Sequence, residues 1–223
     1  MVTVPLATAQ SLPVVLLTGF DPFGGDRLNP SWLAVLALHG REIAGHRLVA
    51  AQLPTVFEES LAVLRQLIAR HRPVLVICVG QAGGRAALSL ERVAINVNDA
   101  RIADNRGAQP VDTPVIRQGP VAYFTSLPIK AMLLALRREG VAAEVSQTAG
   151  TFVCNHVFYG LMHALAAQDG ARRVRGGFVH VPWLPEQGTP SMPLEELVRG
   201  LRIAVHTALN VETDARAGAG ALN

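Results

Sequence analysis

The chain has 223 residues, half of them hydrophobic and 17% charged, enough for one generous domain with a sizeable core, and wholesale disorder is excluded. The formal net charge of +3 reflects nineteen arginines and one lysine, Lys130, against 17 acidic residues. The densest basic run, "ARRVRG" at 171–176, lacks interleaved aromatics and reads as a solvated face rather than a nucleic-acid surface.

In chain order, "PVVLLTGF" (13–20) is a continuous apolar run and predicts a buried strand. "NPSWLAVLALHG" (29–40) predicts a helix with Asn29 as N-cap, Pro30 in the first turn and Gly40 at the far end. A strand at 47–54, an amphipathic helix at 56–71 and a strand at 73–80 follow, with Cys78 read as core filling. Residues 87–97 alternate in part and predict an extended segment. Residues 98–120 are polar and rich in turn residues, long for a connection inside a compact domain, as functional loops often are. A helix at 127–140, a strand at 142–147, a helix around Cys154, a strand at 174–185 ending at prolines and a helix at 193–209 complete the order. Strands alternating with helices predict an α/β fold: a three-layer α/β/α sandwich with a mostly parallel, twisted mixed central sheet. No internal repeat or linker divides the chain, so residues 1–223 are expected to form one domain, with 1–12 and 212–223 loosely ordered.

Two cysteines cannot build a disulfide framework, and neither has metal-ligand spacing with the other. The start "MVTVPLATAQSLP" lacks the basic region of a signal peptide, and no apolar run approaches the roughly 20 residues of a membrane helix. A cytoplasmic protein is expected.

Sites in such folds gather at the carboxyl ends of strands, here 19–25, 80–85, 150–155 and 180–187. Within "AGTFVCNHVFYGLMHALA", apolar residues at 157, 158, 161, 162 and 165 have helical spacing, which puts Cys154 near a helix start. The dipole and free N–H groups there favour a thiolate and predict a lowered thiol pKa, while a buried core cysteine is the competing reading. A nucleophilic thiol needs a base that is itself oriented. Of the seven histidines, His39, His71 and His206 fall at helix surfaces or ends, His46 opens a strand, His163 lies too far along the helix and His156 faces another way. His180, at the end of "GGFVHVP", remains. Glu91, an acid within apolar "SLERVAIN", either lies exposed on an edge or orients that histidine; Glu186 and Asp21 are rivals.

"LLTGFDPFGGDRLNPS", "GQAGGR", "LERVAINVNDARIADN", "AGTFVCNHVFYGL" and "GFVHVPWLPEQ", in this order from about Val14 to Asn210, resemble the pyroglutamyl peptidase (pyrrolidone-carboxylate peptidase) family of thiol peptidases. The resemblance implies a Glu–Cys–His triad in which Cys154 is the nucleophile, His180 the base and then acid, and Glu91 the orienting carboxylate. It implies a substrate too, peptides carrying an N-terminal pyroglutamyl residue, whose flat lactam suits apolar walls. Phe20 and Phe23 would flank the ring, with Thr55, Gln81, Ile102, Phe152 and Val153 lining the pocket. Arg101 either holds the scissile group or makes a structural ion pair, and Asn155 and nearby backbone N–H groups are further oxyanion candidates. No cofactor or metal is expected, and a cytoplasmic homotetramer is the assembly the resemblance implies. Gln147, Ala103 and Trp183 depart from the family pattern, and the last two bear on loop order and substrate fit.

Overall fold

A computed structural model describes residues 12–168 and 174–220. The elements are β1 (Val14–Phe20), α1 (Pro30–Leu36), β2 (Glu42–Ile43), β3 (His46–Leu53), α2 (Phe57–His71), β4 (Leu75–Gln81), β5 (Leu88–Glu91), β6 (Val93–Ile95), β7 (Ala122–Phe124), α3 (Ile129–Arg138), β8 (Ala143–Ser146), α4 (Val153–Ala166), β9 (Arg175–Val181) and α5 (Leu194–Asn210). The main sheet runs β2-β3-β1-β4-β9-β5-β8. β1 pairs in parallel with β3 and β4, β4 with β9, and β5 with β8; β5 meets β9 antiparallel. The α/β sandwich expected from the alternation is therefore the architecture.

Period-two alternation sorts each strand into two cores. On β4, Leu75, Ile77 and Val79 pack with α1, α3 and α5, whereas Val76 and Cys78 pack with α2 and α4. β4 is thus buried on both faces, as its unbroken apolar sequence requires. The predicted start of α1 holds: the Asn29 side chain accepts the Ser31 N–H at 3.1 Å, with Pro30 opening the helix.

The structure shortens and divides several predicted elements. The helix expected to reach Gly40 ends at Leu36, and a series of turns carries the chain to Gly40. The strand expected to reach 185 stops at Val181, where Pro182 has no N–H to continue the ladder. Residues 87–97 form two strands: β5 stays in the main sheet and β6 leaves it to pair with β7. The short β2 and β7 had no readable periodicity. The chain after α5, expected to be loosely held, carries specific contacts. Asp214 accepts the N–H groups of Lys130 and Ala131 at the start of α3, and Arg92 donates to the Ala219 carbonyl. Residues 1–11, 221–223 and the first half of the basic run at 171–176 lie outside the described residues. Among the described residues, no helix is long and apolar enough to cross a membrane.

Candidate active site

Alternation along three adjacent strands builds the site. Cys78 and Gly80 on β4, Phe178 and His180 on β9, and Ser89 and Glu91 on β5 all fall on the α2–α4 face of the sheet. In register, Gly80 stands beside His180, and His180 opposite Ser89. Glu91, one step beyond the last β5–β9 pair, is fully buried, and its Oε1 lies 2.7 Å from His180 Nδ1. Of the readings left open for Glu91, burial against the histidine is the one the fold adopts. His180 is itself buried and packs against Phe178, with ring centroids 4.8 Å apart. In the neutral imidazole, an Nδ1–H that donates to a carboxylate leaves the lone pair on Nε2.

Cys154 is the second residue of α4, after a turn in which Gly150 takes a left-handed φ of 75°. Phe152 opens the helix without a side-chain cap, leaving first-turn N–H groups for a ligand. The thiol sits on Gly80: a Cβ built there would lie 2.8 Å from Cys154 Sγ and 2.8 Å from Phe178 Cζ. A glycine at this point of β4 is what lets the sulfur reach the sheet. Neighbouring strands are about 4.8 Å apart, so a thiol over Gly80 is one strand from His180. The expected lowering of its pKa is not found. Burial pushes the Cys154 thiol up to about 12, the Glu91 charge adds to this and Arg85 opposes it. A thiol raised in this way becomes nucleophilic only as a base takes its proton. Cys78 is likewise pushed up to about 12 by burial, in keeping with its reading as core.

The turn that leads into α4, through Thr151 and Phe152, borders a cavity of about 520 Å³ also lined by Phe23, Asp99, Ala100, Arg101 and Ile102. Four of the residues expected around a substrate are therefore on its wall: Phe23, Arg101, Ile102 and Phe152. Phe23 packs against Phe152 at 6.0 Å. Arg101 is exposed and makes no ion pair among the described residues. The others do not line this cavity. Phe20 is buried in the core against Phe178, and Val153 is fully buried. The Thr55 hydroxyl donates to the Asp21 carbonyl at 3.1 Å. The Gln81 amide donates to Asp26 and accepts from Gln187, which joins the loops after β1, β4 and β9. The Asn155 side chain bonds the backbone of Ile95 and Val97, so its amide is committed to β6 and does not serve as an oxyanion donor. The rivals for the acid role are elsewhere too: Asp21 binds Thr55 and Glu186 is exposed. His156 is buried against Asn98 and Phe57, and burial lowers its pKa to about 4. A larger recess of about 840 Å³, lined mainly by α3 and α5, lies on the other face of the sheet. Among the described residues, no three His, Cys, Asp or Glu side chains could together hold a metal ion.

The long 98–120 loop is pinned to the cavity despite Ala103. Asp99 exchanges hydrogen bonds with Thr151, and Asn98 pairs with Thr113. Trp183 covers Gly83 in the β4–β5 turn. Sequence reasoning missed Arg85 of "GQAGGR". Its Nη1 reaches Glu91 Oε1 at 2.7 Å and its Nη2 the Thr148 carbonyl at 3.3 Å. No local pattern marks Arg85, since Arg92 lies closer to Glu91 along the chain.

A sheet-borne histidine–carboxylate pair, with a thiol delivered to the same face by a helix start, belongs to the class of α/β thiol hydrolases. Residues 14–211 match the pyroglutamyl peptidase family model, and the chain belongs to that family of cysteine peptidases. Among curated relatives, the pyrrolidone-carboxylate peptidase of Cupriavidus taiwanensis is 58% identical over 95% of this chain and 100% of its own. That of Bacillus cytotoxicus is 54% identical over 91% and 96%. The crystal structure of pyroglutamyl peptidase I from Bacillus amyloliquefaciens has a TM-score of 0.90 at 50% identity, covering 93% of this chain and 100% of that one.

Proposed function

We propose that the chain hydrolyses the amide bond after an N-terminal pyroglutamyl residue, releasing 5-oxoproline, through Cys154, His180 and Glu91. The observation that carries this reading is the 2.7 Å contact between His180 Nδ1 and Glu91, which orients the imidazole on the face where the thiol sits. As substrate docks, the Cys154 proton passes to Nε2 and the sulfur bonds to the pyroglutamyl carbonyl carbon. The oxyanion meets the uncapped N–H groups at the start of α4. Collapse breaks the carbon–nitrogen bond, and the departing amine takes the proton from His180. Water, deprotonated by the same imidazole, then cleaves the thioester and restores the thiol. Phe23, Ile102 and Phe152 offer the apolar walls a lactam ring needs, and Arg101 stands free to hold the chain beyond it. Phe20, Thr55, Gln81 and Val153, at or just past strand ends and at the start of α4, complete the proposed substrate-binding set.

The test is release of a fluorophore from a pyroglutamyl amide by wild type and by Cys154→Ser, with prolyl and glutamyl amides alongside. Only the pyroglutamyl amide is expected to be cleaved, and the substitution should lower kcat by at least about 10³-fold while the fold persists. Full activity in Cys154→Ser, or an inert reduced wild type, would end this reading. A cytoplasmic homotetramer is proposed with it. The exposed apolar Val121 and Phe124, 88% and 71% accessible at the β6–β7 ribbon, suit a subunit interface that sedimentation velocity would detect.

A further inference from the structure

Glu91 is held from two sides. Its Oε1 takes one bond from His180 and one from Arg85, both 2.7 Å, while Oε2 is buried with no hydrogen-bond partner among the described residues. All the carboxylate's recognised support therefore falls on one oxygen. Arg85 reaches in from the β4–β5 turn with 27% of its side chain accessible, so its charge is partly desolvated. Its other arm bonds the Thr148 carbonyl in the turn that leads into α4. One guanidinium thus joins the acid that orients the base to the turn that delivers the nucleophile.

Resting on the thiol-peptidase reading above, we propose that Arg85 is a positioning residue: its bonds to Glu91 and to the Thr148 carbonyl keep the carboxylate aimed at His180 and tie it to the turn that delivers Cys154. A carboxylate buried without a partner cation takes up a proton or turns away, and either change releases the imidazole. The charged and titratable groups around Glu91 and the thiol are Arg85 from the β4–β5 turn, His180 from β9 and Cys78 from β4; on the same face Glu144 on β8 is engaged by Ser89, and His156 on α4 by Asn98. Among the causes that act on the thiol, Arg85 is the one cation that favours its ionisation. Removing it leaves Glu91 to act on the sulfur unopposed.

The experiment is alkylation of Cys154 by iodoacetamide across pH, read by mass spectrometry of its peptide, for wild type, Arg85→Gln, Arg85→Met and Arg85→Lys. Circular dichroism checks the fold of each. No peptide substrate enters this assay, so its outcome is independent of whether a pyroglutamyl amide is cleaved. The neutral variants are expected to react about tenfold more slowly at neutral pH, with the profile displaced to higher pH. Arg85→Lys should recover at least half of that loss, because it restores the charge. With the amide substrate, kcat should fall and KM change little. A neutral variant whose profile superimposes on wild type overturns the proposal, as does a lysine variant no better than glutamine. Failure of both neutral variants to fold would make the ion pair a structural one and overturn it equally.

Discussion

Gly80 stands where β4 passes under the thiol, and its missing side chain is a requirement of the site. A methyl group there would meet Cys154 Sγ and Phe178 Cζ at 2.8 Å, and the phenyl ring is itself packed against His180. Gly80→Ala is expected to displace the sulfur or the imidazole. Activity should drop about 10²-fold, and stability by about 1–3 kcal/mol from overpacking. Steady-state kinetics together with urea unfolding would check both. At the same scale, a second histidine sits two residues from Cys154 and is turned away from it. His156 points into the α2–α4 core, its Nδ1 bound to Asn98, as helical geometry predicts for a position two residues on.

The elements around the site are joined by buried polar caps supplied from distant loops. α2 begins at Phe57 without a side-chain cap from Val56. Its first N–H is taken by Asp104 Oδ2 at 3.1 Å, and Asp104 Oδ1 accepts the N–H groups of Arg106 and Ala108. One carboxylate therefore ends a helix and folds the loop that carries Arg101 and Ile102 on the cavity wall. Asp104→Ala would strand three donors and remove a favourable charge at a helix start. A loss of about 2–4 kcal/mol in urea denaturation is expected. KM for the pyroglutamyl amide should rise more than kcat falls, since the loop shapes the cavity and carries none of the reacting groups. An unchanged KM would separate this loop from substrate binding.

The whole molecule responds to pH through groups that burial has shifted. His156 has its pKa lowered from 6.5 to about 4, so the unfolded chain binds a proton in that interval and the native chain does not. Its contribution is present above pH 6.5 and lost as pH falls through 4, by about 3 kcal/mol at most. Cys78 and Cys154 act at the other end. Both thiols are raised from 9.0 to about 12, so stability is whole below pH 9 and declines as pH rises through 12. A plot of Tm against pH should fall on both sides. His156→Asn should flatten the acid limb, and an unaltered limb would assign it to other groups.

Local sequence determined much of this protein. The apolar runs specified β1, β3, β4 and β9. The 3.6-residue periodicity specified the helices, and Asn29–Pro30 the start of α1. Cys154 was legible at a helix start and His180 at a strand end, because both follow from short-range pattern and from glycine and proline. The pairing of Glu91 with His180 was not legible from these patterns. It depends on β5 running antiparallel to β9 in one register, and a slip of one residue would turn Glu91 to the opposite face. Arg85, Gly80 and Asp104 were unreadable for the same reason: each acts on a group that only the assembled sheet and its loops bring near. The thiol pKa also reversed direction, because a helix start favours the thiolate while burial beside a carboxylate opposes it. Which effect wins depends on how much water the closed fold leaves around the sulfur. Helix capping and apolar periodicity are local and act along the chain, whereas desolvation, cross-strand register and the hydrogen bonds they bring together exist only once distant segments have met.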